Sequence, residues 1–390
     1  MRTADAIFSD ALAHAGPAVP WLEPRRAEAV KLFRAKGVPH RRVEDWKYSD
    51  LKTALEAAND LGGDTIALTL APLPAGVEHF DLADLANAPD WVRAHLGKAA
   101  RGGAMPAAAL ALAHTGFAIR VPKNTHLSAP LQFEVSGAGH TRALIVMEEG
   151  ASLTLVEARK PGTGFANVAI EVVVGANAQL THVRTSPAAR DTIQVEDIAV
   201  RVARDASYRA HLFNGGASLS RLNLRLTLKE PGANAFLSGV SVLGGLHADV
   251  TTEVYHAAGR THSEQLFKKI VGGRGRAVYQ GKITVAQGAD KSDSRQIAKA
   301  LLMGERAEAD LKPELEIFAD DVKCAHGAAV GDLDADSLFY LRARGIPEAE
   351  ARNMLVRAFL EEVVAEIADE TIRAAVWQAV EDALPGAMAP

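Results

Sequence analysis

Four short stretches decide how the middle of this chain is read: Gly150-Ala-Ser-Leu153, Asn177-Ala-Gln-Leu180, Asp205-Ala-Ser-Tyr208 and Asn234-Ala-Phe-Leu237. Each holds a turn residue, an alanine, one variable residue and a large apolar or aromatic side chain, and successive copies start 27, 28 and 29 residues apart. A weaker copy, Asn124-Thr-His-Leu127, precedes the first by 26 residues. Between them run strand-sized stretches of β-formers, such as Ala143-Leu-Ile-Val-Met147, Ala169-Ile-Glu-Val-Val-Val174 and Leu222-Asn-Leu-Arg-Leu-Thr-Leu228, bounded by turn residues. Near-constant steps with no helix-length apolar period predict a β-solenoid, whose coils stack and whose turn residue recurs at one corner. The step is too short for a four-stranded propeller blade. A β-sandwich also repeats its turns, at shorter intervals, and stands as the competing architecture.

Outside this region the period is helical. Before about residue 60, Ala27, Val30, Leu32 and Phe33 cluster between charges until Gly37 ends the run. Residues 60–105 are rich in Ala, Asp and Pro and read as short helices and connections. Beyond 330, Asp334 suits the N-cap of a helix ending at Gly345, and Pro347 opens another with Glu348 and Glu350 at its positive end. Leu355, Phe359, Val363 and Ile367 recur every four residues, as do Ile372, Val376, Val380 and Leu384. Such stripes either fold back as a cap on the solenoid end or face a partner, and composition favours the cap. The expected organisation is a helical region over 1–105, a mainly β core over 106–320 and a helical domain over 321–390.

Lys and Arg number 43 against 48 Asp and Glu, a net charge of −5 that argues against a whole-surface nucleic-acid binder. At 48% hydrophobic residues a packed core is expected. The single cysteine, Cys324, excludes an internal disulfide, a four-cysteine zinc site and an iron–sulfur cluster held by this chain's thiolates alone. Acidic residues interrupt the N-terminal Met-Arg-Thr-Ala-Asp at once, unlike a signal peptide. The long uncharged stretch Gly102 to Ile119 contains Pro106, His114 and Thr115 and makes a poor membrane span. A cytoplasmic protein without membrane partners is expected.

Most catalytic motifs are missing. Gly281-Lys282 is followed by Ile283 rather than Ser or Thr, so no phosphate loop forms, and Gly272-Gly-Arg-Gly-Arg276 reads as a solvated turn. There is neither a Gly-x-Ser-x-Gly elbow nor a His-Glu-x-x-His pair. A carbohydrate-active β-helix would need carboxylates clustered on one sheet face, and the scattered Asp and Glu show no such register. That enzyme is the alternative function. The one constellation with a soft ligand is Asp320-Asp-Val-Lys-Cys-Ala-His-Gly327. In an extended segment Cys324 and His326 share a side, and thiolate plus imidazole suits iron or zinc. Two ligands are too few for a closed site, so a partner or cluster sulfide would supply the rest, unless both residues are simply core.

The run from Asp321 to Ile346, Asp-Val-Lys-Cys-Ala-His-Gly-Ala-Ala-Val-Gly-Asp-Leu-Asp-Ala-Asp-Ser-Leu-Phe-Tyr-Leu-Arg-Ala-Arg-Gly-Ile, closely resembles the C-terminal signature of the SufB/SufD family of iron–sulfur cluster assembly scaffolds. Arg41-Arg-Val-Glu-Asp-Trp-Lys-Tyr-Ser-Asp50 looks like the N-terminal hallmark of its SufD branch. SufB-like chains carry His-Glu-Ala where this one has His326-Gly327-Ala328, and a cysteine where it has Ala298, so both differences favour the SufD branch. The resemblance implies a right-handed parallel β-helix flanked by N-terminal and C-terminal helical domains. It implies a non-catalytic subunit paired with a SufB-like partner through the β-helix, and with a SufC-like ATPase, the only user of ATP, through the C-terminal helices. It also implies a transient iron–sulfur cluster at the subunit interface, with His326 the stronger contributor and Cys324 a ligand or a buried thiol. A role for flavin is left open, and an unpaired β-helix end makes a homodimer feasible in isolation.

Overall fold

In the structure, a computed structural model that describes residues 3–14, 19–58, 61–63, 65–98 and 102–388, the corner residue of the repeat is left-handed in coil after coil. Its φ is 57° at Asn124, 71° at Gly150, 59° at Asn177, 54° at Asp205, 78° at Gly232, 57° at Arg260 and 62° at Lys291. Asn, Asp and Gly tolerate this conformation best, which is why the corner was visible as a sequence repeat. Each corner amide donates to a carbonyl one coil on, as from Gly150 to Ala176 and from Asn177 to Arg204. The alanine that follows is sealed inside at 151, 178, 206 and 233.

One copy of the repeat is corrected by the register. Tyr208 pairs with Ala235, so the fourth corner is Gly232-Ala-Asn-Ala235, two residues before the Asn234 copy. A Cβ at Gly232 would lie 1.9 Å from Asp205 Oδ1, so glycine lets this corner stack against the Asp205 side chain. The Asn234 copy is a chance likeness inside the strand Asn234–Gly244.

The coils form two nine-stranded sheets. Successive strands within each sheet pair in parallel, as coils of a β-solenoid must and the hairpins of a sandwich do not. The exceptions are Ala67–Leu70 and Glu78–Asp81, which add antiparallel to Leu131–Ser136 and Thr115–Val121 and close the first edge of each sheet. Both fall where short helices and connections were expected, because four residues are too few to show an alternation. The interior is built from in-register rows such as Ile119, Ile145, Val172, Val200, Leu226, Val254 and Ile283, each at most 2% exposed. Every such side chain contributes about 1.5–3 kcal/mol of burial.

Helices cover the outside. Those of the N-terminal region, including Glu23–Lys36 and the wholly buried Ala104–Leu112, pack on Leu144, Val146, Phe165, Ile193 and Val195 of the second sheet. The N-terminal hallmark is the latch between them. Trp46 lies under the Arg221 guanidinium at 4.2 Å, Ser49 Oγ donates to Asp249 Oδ2 at 2.5 Å, and Lys312 pairs with Glu44 at 2.7 Å.

The C-terminal helices are Ala335–Ala343, Glu348–Val364 and Glu370–Met388, and the Asp334 carboxylate accepts from the Ser337 N–H at 2.7 Å as an N-cap. They fold back but do not cap the end. They lie along the outer face of the first sheet, against Val183, Phe213, Val240, Val242 and Ile270. The last helix buries Ile372, Val376, Val380 and Leu384 as its period implied. In the helix before it the buried residues are Ala351, Val356, Leu360, Val363 and Val364, with Leu355 and Phe359 half-buried at the margin. Phe359 there meets the Lys268 ammonium at 4.5 Å. Parallel strands meanwhile continue to Lys323–Gly331, so the Cys324–His326 segment belongs to the final coil.

Candidate functional site: the open end of the solenoid

Lys323–Gly331 and Glu308–Ile317 are the terminal strands of their sheets, and nothing stacks on them among the described residues. Interior positions of the last coil are therefore uncovered. Ile317, Phe318 and Val330 are exposed there, giving the rim an apolar character. Register assigns the two candidate ligands to interior rows: Cys324 stands over Ser294 and Ser263, and His326 over Gln296 and Gln265. Both thus share one side of the strand, about 6.6 Å apart along it. The structure brings them together on the open rung.

Their surroundings differ. Cys324 is half-buried against Ile283, Val285 and Ala289. Burial pushes its thiol pKa up, Asp293 adds to that, and a hydrogen bond from the Ser294 backbone opposes it. The thiol is therefore the resting form near neutrality, and a metal or a partner's cation would have to draw out the thiolate. The serines beneath it are linked inward, Ser294 Oγ to Ser263 Oγ at 2.6 Å and Ser263 Oγ to His256 Nε2 at 2.9 Å. His326 is exposed, and no hydrogen bond or ion pair holds its ring among the described residues. A neutral imidazole so placed can ligate iron or move a proton. Ala298 is completely buried in the neighbouring interior row.

Deeper in the barrel lies a cluster that motif reasoning missed. Glu157, Arg159, His182, Arg184 and Glu196 face inward and are at most 5% exposed. Arg184 grips Glu196 through Nε and Nη2 at 2.8 and 2.6 Å, while His182 sits between Glu157 Oε2 and the Tyr208 hydroxyl, each 3.1 Å away. Burial pushes the Glu157 carboxyl up, with Glu196 adding to it. Burial also pushes Glu196 up, but Arg184 and Arg159 outweigh it and hold that carboxyl low. Two carboxylates do converge, then, but they are walled in and salt-bridged, out of reach of any polymer. The alternation Leu153, Leu155, Glu157 was the signal that placed a charge on an apolar face.

A cleft of about 600 Å³ lies elsewhere, under the N-terminal region, and its cations Arg221 and Arg225 already pair with Asp249 and Asp197. No group of three or more His, Cys, Asp or Glu side chains able to hold a metal occurs among the described residues. The donors at the open end are one thiol and one imidazole, too few by themselves for a closed metal site.

Comparison with known proteins bears on the family of the whole chain. Residues 133–359 match the model of the SUF-system iron–sulfur cluster assembly SufBD core domain, and residues 13–67 match the SufBD N-terminal region. The iron–sulfur cluster assembly protein SufD of Escherichia coli is 29% identical over 406 residues, covering 93% of each chain. A SufBD family protein of Synechocystis is 28% identical over 91% of this chain and 90% of its own length. SufD of Bacillus subtilis is 27% identical over 79% of this chain and 72% of its own. With the core model covering more than half of the sequence and the solenoid and its flanking helices in place, the chain belongs to the SufBD family of the SUF iron–sulfur cluster assembly system.

Proposed function

We propose that this chain is the SufD-type subunit of a complex with a SufB-type subunit and a SufC-type ATPase, a non-catalytic scaffold on which a transient iron–sulfur cluster is built as cargo. The observation that carries the reading is the placement of His326 on the last, uncovered rung of the solenoid, on an interior row and with its ring unengaged. A SufB-type chain stacking on that end would continue both sheets and cover the apolar rim. It would bring its own ligands to face His326, with Cys324 the lesser contributor. Without that partner the same edge suits self-pairing.

The C-terminal helical domain supports the second contact. Its inner faces are spent on the first sheet, yet Phe339, Tyr340 and Met354 are 74%, 56% and 44% exposed. Large apolar side chains at that exposure suit a docking surface for the ATPase, through which ATP would act. Among the described residues no helix is long and apolar enough to cross a membrane.

Co-expression with the two partner types tests the reading. A stable three-part complex is expected, losing the ATPase alone when Phe339 and Tyr340 are both changed to Ala. Anaerobic cluster build-up on the complex should fall sharply with His326→Ala and less with Cys324→Ala. No complex, or undiminished cluster yield with His326→Ala, would sink it.

A further inference from the structure

The row beneath His326 contains an amide oxygen with nothing to accept in the free chain. Gln296 is fully buried, and its Oε1 has no hydrogen-bond partner. Its Nε2 faces the Tyr279 hydroxyl, which also bonds Gln265 Oε1 and Thr252 Oγ1, each at 3.2 Å. Room for the carboxamide comes from Gly281 on the opposite sheet, where a Cβ would lie 1.8 Å from Gln296 Nε2. A buried amide oxygen without a donor destabilises a fold, and an apolar residue of like shape would serve a packing role better. Gln296 also stands directly under His326, one ladder step or about 4.8 Å away.

A histidine that binds a metal through one ring nitrogen generally gives the other N–H to an oxygen acceptor, which fixes the tautomer and aims the ring. His326 has no such acceptor in the free chain, and Gln296 Oε1 is an acceptor with no donor. We infer that Gln296 is the positioning residue for His326: when iron is loaded and the ring turns in over the row, its carboxamide oxygen accepts the imidazole N–H and leaves the second nitrogen to the metal. This rests on the assignment of His326 as a ligand.

The test is anaerobic Co(II) titration of the co-purified complex, read by visible absorbance, together with the melting temperature. His326→Ala should weaken Co(II) binding at least tenfold. Gln296→Leu should weaken it about tenfold, within the 10–100-fold range for such supporting contacts, while leaving the melting temperature equal or higher. Gln296→Glu, which keeps an acceptor, should restore most of the affinity, and Gln296→Met replaces leucine should that variant pack badly. Wild-type affinity with both apolar variants, alongside loss with His326→Ala, overturns the inference alone. Wild-type affinity with His326→Ala removes the histidine assignment and the inference with it.

Discussion

Two histidines on one interior row have opposite fates. The row runs Leu155, His182, Ala210, Leu237, Gln265, Gln296, His326, one residue per coil. His182, in the middle, is fully buried and held on both nitrogens by Glu157 and Tyr208. His326, at the end, has solvent on its ring and no hydrogen-bond partner among the described residues. The same side chain in the same lattice position is structural where coils close over it and available for chemistry where they stop. In a solenoid, distance from the end decides what a polar residue can do.

The sharpest way to break this comparison is to remove a charge from the sealed half. Glu196→Ala leaves Arg159 buried without its carboxylate and Arg184 with only the 3.4 Å contact to Glu157, and a loss of about 3–5 kcal/mol is expected from the denaturant midpoint. A loss below about 1 kcal/mol would mean that water reaches the cluster and the interior is not sealed there.

Acid should expose the sealed histidines next. Burial, with His262 nearby, holds His256 at about 4, below the ordinary value of 6.5. Between those values the unfolded chain takes a proton that the folded chain refuses. Its contribution to stability is therefore intact above about pH 6.5 and is lost as pH falls towards 4, by about 1.4 kcal/mol per pH unit. Between pH 6.5 and 5 that amounts to about 2 kcal/mol, and unfolding of His256→Gln should show a correspondingly flatter pH dependence. Tyr208→Phe is milder. It removes only the hydroxyl on His182 Nδ1, at a cost of about 1 kcal/mol by the same measurement.

The parts of the fold that could be read from sequence are those with a local cause. Left-handed corners demand Asn, Asp or Gly, so Asn177 and Asp205 declared the coil length. Amphipathic spacing at Ile372, Val376, Val380 and Leu384 declared the last helix. The fourth corner was misread because Gly232-Ala-Asn-Ala235 lacks the large apolar residue of the other copies, and only strand pairing reveals it. The flank position of the C-terminal helices depends on which sheet face is apolar across many coils, a non-local property. At the site, Cys324 and His326 were legible because two residues on one strand share a side whatever the tertiary context. Gln296 was not, since nothing within its own strand shows that the row beneath His326 ends in an unpartnered amide oxygen.

The smallest expected effect on stability is the most informative. His326→Ala removes an exposed ring with no hydrogen bond, from a rung on which nothing stacks, so the fold should change by less than about 0.5 kcal/mol. The equivalent change in the sealed half, His182→Ala, strands the Glu157 carboxylate and the Tyr208 hydroxyl inside the barrel and should cost several times more. The two variants together separate position from residue type. If His326→Ala proved as destabilising as His182→Ala, the last rung would already be packed in the free chain. The end of the solenoid could then not be where a second subunit completes the site.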